Sequence, residues 1–205
     1  MYFPQLIAGP IVRAEEFVPQ LSKRPELDVA AFVRSVALLF RGLLKKIVLA
    51  DGLLAAYSEA AFDAPASASM FEAWLGLFAF SFQIYIDFGG YSGVAIGCAR
   101  RMGFHRIDNF NLPYNADSFS DLWRRWHLSL STWLRDYLYV PLGGNRMKTQ
   151  WGVVRNLMLV MLLGGLWHGA AWNFVIWGGM PGAFLLIERS LGMHRDLASQ
   201  QINLF

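Results

Sequence analysis

"LLGGLWHGAAWNFVIWG" occupies residues 162–178 and lies inside a run, 156–187, that contains no Asp, Glu, Lys or Arg. The run is 32 residues long, more than the ~20 apolar residues that cross a bilayer as one helix. It suits two shorter spans over 153–187, with a break around His168 where Gly164, Gly165 and Gly169 cluster. An imidazole in such a run is costly, and by default it marks a functional site. Neutral imidazole can take a proton from a hydroxyl and then return it, which is general-base chemistry. The other reading is a structural histidine hydrogen-bonded to a neighbouring helix.

The rest of the composition points to lipid as solvent. Of 205 residues, 55% are apolar and only 16% are charged, against roughly 25% charged in soluble domains. The mean hydropathy is +0.34. Cys98 is the one cysteine, which excludes an internal disulfide and a cysteine-based metal cluster. A net charge of +3 is too small and too scattered between apolar runs for a nucleic-acid footprint. Cationic loops beside membrane spans account for it. The opening "MYFPQLIAGPIVRAEEF" has neither the basic region nor the apolar core of a signal peptide.

Working outward, Pro4, Pro10, Pro19 and Pro25 make the first segment a loop or re-entrant stretch with short helical pieces. Residues 29–61 read as helix. Lys45 and Lys46 at its centre argue for an interfacial or tilted helix rather than a clean span. Residues 63–69 are a small-residue loop. Residues 71–86 are a strong span candidate, ending at Asp87 in "DFGGYSG", with apolar character continuing over 94–99. Arg100, Arg101 and Arg106 then mark a cytoplasmic loop.

Residues 118–139, "SFSDLWRRWHLSLSTWLRDYLY", open with an N-cap signal, Ser118 with Asp121 three residues on. Phe119, Leu122, Trp123, Trp126, Leu130, Trp133 and Tyr137 recur at helical spacing and form one apolar face. Arg124, Arg125, Thr132 and Arg135 fall opposite. The wheel puts His127 beside the aromatic face, where it lines a cavity or sits at the membrane interface, the interface being favoured. "PLGGNRMK" (141–148) ends the helix in a tight basic turn.

The remaining candidates read as structural. His105 and His194 lie among charges and read as solvated. No HExxH and no Cys/His spacing supports a metal site. Asp87 reads as a structural pairing group, although capping a helix or orienting a histidine are alternatives. "GGYSG" resembles a nucleophile elbow only loosely and lacks the strand–turn–helix context that would make Ser92 a nucleophile. Asn109, Asn111, Asn115 and Asn145 read as turn residues.

Four stretches carry a family resemblance: "FPQLIAGPI" (3–11), "QIYIDFGGYSGVAIG" (83–97), "NFNLPYNADSFSDLWRRWHLSLSTWLRDYLYVPLGGNR" (109–146) and the opening "LLGGLWHGAAWNFVIWG". Together they resemble the membrane-bound O-acyltransferases, in the branch of the bacterial alginate O-acetyltransferase membrane subunit. The resemblance implies an all-α, polytopic transmembrane bundle with interfacial and re-entrant helices, in the bacterial inner membrane. It implies acetyl transfer from acetyl-CoA or another acyl donor, with no bound cofactor, to a polysaccharide such as alginate. The family's "LWHG" histidine maps onto His168, as catalytic base, and its "RWHxSLSxWxRDYLYxPLGG" histidine onto His127, as its assistant. In family members the two meet near a tunnel through the bundle, which moves His127 away from the interface. An extracytoplasmic acetyltransferase partner is implied, with membrane lipid around the bundle and no nucleic acid.

Two departures stand out. The family motif often reads "DFSGYSD"; here Gly89 and Gly93 stand in it and the closing acid is missing. Full members are more than twice this length, so residues 1–205 are expected to be a single membrane-embedded core region, truncated at both ends. Arg124, Arg125 and Arg135 are expected to attract anionic lipid rather than a phosphate-bearing donor. A non-catalytic scaffold or passage that docks an extracytoplasmic acyltransferase shares the fold but would tolerate Ala at both histidines. A proton-coupled transporter would need more intramembrane acids.

Overall fold

The computed structural model describes residues 9–22, 28–64 and 67–192, and all regular structure among them is helical. Pro4, Pro25, His194 and most of the "FPQLIAGPI" stretch lie outside the described residues. Two compact units, 1–110 and 111–205, divide the chain.

In the first unit, α1 (Ala14–Leu21) is one of the short helical pieces expected in the proline-rich stretch, with Pro19 inside it. The helix over 29–61 forms, but in three registers: α2 (Val29–Leu43), a π-helical segment (Leu44–Leu54) and α3 (Ala55–Asp63). The widened turn runs through the dibasic pair. It turns Lys46 toward Asp87, with Nζ 2.6 Å from the carboxylate, while Nζ also donates to Asp51 at 3.0 Å. α4 (Met70–Arg101) begins in a capping box, where Ser69 and Glu72 each satisfy the other's backbone N–H.

α4 corrects the expectation of a span ending at Asp87. The helix continues unbroken through "DFGGYSG" for 32 residues, about 48 Å at 1.5 Å per residue. No proline interrupts it, and its glycines are used for packing. A Cβ on Gly42 of α2 would lie 2.7 Å from the Gly90 carbonyl oxygen, and one on Gly90 2.8 Å from that of Gly42. The two backbones therefore touch. Asp87 pairs with a lysine rather than a loop arginine, and caps nothing.

In the second unit, α5 (Phe119–Arg125) and α6 (Leu128–Leu134) replace the single amphipathic helix expected over 118–139. A π-helical turn (Arg135–Tyr139) follows. The basic turn after it bends at Gly143, φ +99°, and Gly144, φ +50°, left-handed values that favour glycine. Asn156, fully buried, donates from Nδ2 to the Leu142 carbonyl at 2.8 Å and so holds this turn on α7.

α7 (Gln150–His168) and α8 (Trp172–Ser190) form a hairpin, with the break at Gly169–Ala171 where the glycine cluster predicts one. Each has 19 residues, about 28 Å. No helix among the described residues is long and apolar enough to cross a membrane, which corrects the spans expected over 71–86 and 153–187. The shortfall is in apolarity. α7 carries Arg155, Asn156 and three glycines, while α8 carries Asn173, Pro181 and three glycines.

Those glycines set the hairpin's spacing. A Cβ on Gly165 would collide with the Phe174 carbonyl oxygen, and one on Gly178 with that of Met161. Backbone atoms cannot rotate away. Gly165→Ala and Gly178→Ala are each expected to destabilise the chain by about 1–3 kcal/mol. Gly179→Ala would meet only Leu162 Cδ2 at 3.5 Å and is expected to be neutral or to gain up to about 1 kcal/mol from helix propensity. Denaturation of the detergent-solubilised variants checks this, and equal losses at all three positions would contradict it. α8 also holds α5: buried Glu188 accepts from the Ser120 backbone N–H at 2.9 Å and from its hydroxyl at 3.1 Å. Glu188→Ala strands that N–H, so a loss of about 1–3 kcal/mol is expected in the same assay.

Candidate functional site

The site grows from a fault in a helix. Ser118 caps α5 as its spacing predicts, accepting from Asp121 N–H at 3.0 Å. The helix then stops, and the chain passes through His127 at φ +45°, ψ +56°, a left-handed conformation uncommon for any residue with a Cβ. The Ser131 hydroxyl donates to the Trp126 carbonyl at 2.9 Å and secures the break. His127 Nδ1 accepts the Leu130 backbone N–H at 3.4 Å, so the imidazole itself caps α6.

Two consequences follow for His127. The break ends the continuous wheel, so the interfacial placement derived from it is overturned. His127 is only 5% exposed. With Nδ1 accepting, the neutral ring carries its proton on Nε2. Burial first, and the neighbouring His168 second, push the imidazole down to about 4, so the ring is neutral at pH 7.

His168 is the last residue of α7 and stands at the hairpin break rather than in mid-helix. It is exposed on one side. Its ring stands edge-to-face with Trp177 of α8 at 4.9 Å and with Trp167 at 5.0 Å. His127 and His168 have ring centroids 6.4 Å apart, so residues forty-one positions apart in sequence share one cavity. Trp123, Trp126, Leu130, Met161 and Trp177 also line it. The cavity is tight, about 10 Å³, close to what one water sphere needs.

The other candidates lie elsewhere. Ser92 is buried in α4, where its hydroxyl accepts from Asn109 Nδ2 at 2.9 Å. Asn109, 1% exposed, sits at a bend as a buried amide holding the segment after α4. Asn145 Oδ1 accepts from the Tyr139 hydroxyl at 2.8 Å and from Arg189 at 3.2 Å. His105 is exposed, as its charged surroundings suggest. Arg125 pairs with Asp121 at 2.7 Å and Arg135 with Asp136 at 2.6 Å.

Sequence reasoning missed Trp177 and Glu188. Trp177 lies nine positions beyond His168, and only the turn at 169–171 folds it back. Glu188 is the first charge after the long uncharged run, a signal open to reading as the ordinary end of a span.

The chain matches the model of the MBOAT, membrane-bound O-acyltransferase family, over residues 1–201. It is 48% identical to the probable alginate O-acetylase AlgI of Pseudomonas aeruginosa over 192 residues, 94% of this chain and 36% of that protein. It is 44% identical to the peptidoglycan O-acetyltransferase of Helicobacter pylori over 191 residues, 92% of this chain and 36% of that protein. The teichoic acid D-alanyltransferase of Bacillus subtilis is 29% identical over 87% of this chain and 47% of its own length. The chain therefore spans little more than a third of the acetylating relatives. With a match of this extent, and with the two histidine-bearing motifs inside it, the chain belongs to the membrane-bound O-acyltransferase family.

Proposed function

We propose that the protein is a membrane O-acetyltransferase of the bacterial inner membrane, multi-pass in its complete form. It moves an acetyl group from acetyl-CoA or another acyl donor to a polysaccharide hydroxyl, as in alginate. An extracytoplasmic acetyltransferase acts with it on the acceptor polymer. The observation that supports this reading most is the meeting of His127 and His168 in one apolar cavity, with centroids 6.4 Å apart. Relatives named as acetylases of alginate and peptidoglycan support the acetyl group and the class of acceptor.

In this reading the two imidazoles divide the work. His168 takes the proton of the acceptor hydroxyl as that oxygen attacks the donor's thioester carbonyl carbon. The carbonyl oxygen gains negative charge, and His127 Nε2–H donates a hydrogen bond to it. The C–S bond then breaks, and the departing sulfur takes the proton back from His168. Neutral His127 suits a donor whose own proton never leaves. The Leu130 N–H on Nδ1 fixes that tautomer.

In the native host, His168→Ala is expected to abolish polymer acetyl ester at unchanged protein level in the membrane. His127→Ala is expected to lower the acetylation rate by about 10²–10³-fold, the loss typical of one oxyanion donor. Ester content measured after alkaline release checks both, and wild-type ester in either variant would sink the mechanism and favour a scaffold. The membrane assignment has its own test. Trp172 is 81% exposed, while Phe71 and Trp151 are each 75% exposed, apolar surface suited to lipid. The protein is therefore expected to stay with the membrane through an alkaline carbonate wash, and its release would count against integration.

A further inference from the structure

The first unit contains a second, larger cavity that the acetyl-transfer reading does not use. It has a volume of about 190 Å³ and lies between α2 and α4, against residues 108–110. Leu38, Arg41, Gly42 and Lys45 recur at helical spacing along one wall. Tyr85, Gly89, Ser92, Gly93 and Ile96 do the same along the other. The buried Asn109–Ser92 hydrogen bond forms part of its lining. Phe110 packs edge-on against Tyr85 and Phe88, both at 5.2 Å, and holds the 108–110 segment in place.

The charges around this cavity are unbalanced. Arg41 and Lys45 face one carboxylate, Asp108, which leaves a net charge of +1 on the lining. Among the described residues neither cation has a carboxylate within ion-pair distance. Lys46, next in sequence, is fully engaged by Asp87 and Asp51. Arg125 and Arg135, two of the three cations first assigned to lipid, are likewise held by Asp121 and Asp136. Arg41 and Lys45 thus bring positive charge to this lining that is not taken up by an ion pair among the described residues. A Cβ at Gly93 would stand at ordinary contact, 3.6 Å from Gly42 Cα and 3.9 Å from the Leu38 oxygen.

We propose that this cavity binds a phosphate group. Its guanidinium fork and ammonium suit phosphate oxygens, which take bidentate and point-charge contacts. The Asn109 and Ser92 side chains add neutral hydrogen-bonding capacity, and Gly89 and Gly93 let a bulky tetrahedral anion approach the helix backbone. Asp108 tempers the charge, which favours a phosphate ester over a highly charged polyanion. That ester is either the headgroup of a membrane phospholipid or part of a soluble molecule. The shared chemistry is the phosphate oxygens on Arg41 and Lys45.

Two binding measurements on the full-length protein separate the sources. In one, inorganic phosphate and AMP are titrated into the detergent-solubilised protein by calorimetry. In the other, the protein is placed in nanodiscs of phosphatidylglycerol or of phosphatidylcholine, and retained lipid is counted by native mass spectrometry. The wild type is expected to bind in at least one arm. Arg41→Gln with Lys45→Gln is expected to weaken that binding at least roughly tenfold, the scale for losing a charge-assisted hydrogen bond. Gly93→Asp, which puts a carboxylate on the same wall, is expected to do the same. Thermal denaturation identifies any variant that fails to fold, and the exposed Arg41→Gln alone then carries the test. Binding in the soluble arm assigns a free ester, and selective retention of phosphatidylglycerol assigns lipid. No binding in either arm, or binding unchanged in folded variants, overturns the proposal.

Discussion

The contact on which the second unit depends is between two backbones. Gly165 on α7 and Gly178 on α8 approach so closely that neither position has space for a methyl group. Close helix contact of this kind relies on dispersion between main-chain atoms rather than on apolar side chains driven from water. It sets the axis of α8 against α7, and with it the position of Trp177 against the His168 ring. Further along α8, the same placement brings Glu188 to the first turn of α5. α5 leads directly into the break at His127. Both imidazoles therefore reach one cavity through a scaffold whose closest point has no side chains.

This explains a property of the helices that would otherwise look like a defect. α7 and α8 have the length of a span yet fall short in apolarity. Several of the residues that lower it also pack the hairpin or equip the site: the glycines, Asn156 and His168. A purely apolar helix would satisfy lipid better, but it could not bring α8 this close.

Much of this was legible in the residues themselves. The glycines around His168 announced the break in the long uncharged run, Ser118 announced the start of α5, and Pro19 with its neighbours announced short helical pieces. The family motifs marked both histidines. Less legible was whatever depended on local backbone state. Nothing in helical periodicity reveals that the chain leaves the helix at His127, because the apolar spacing continues across the fault. "DFGGYSG" looked like an end because Asp87 closes the apolar run there, and its glycines suit either a bend or a close helix approach. Only the facing Gly42 decides for contact. The bend at Asn109 was legible, but its burial was not, because that depends on Ser92, seventeen positions away, a distance no local pattern spans.

The π-helical segment Leu44–Leu54 divides the work of two adjacent lysines. Lys45 faces the cavity while Lys46 turns to Asp87 and Asp51. A π-turn accommodates an extra residue in an otherwise α-helical frame. Side-chain changes in that stretch leave the frame intact, whereas loss of one residue would rotate everything after it by about 100°. In descent, this part of the chain should therefore tolerate change in spelling far more readily than change in length.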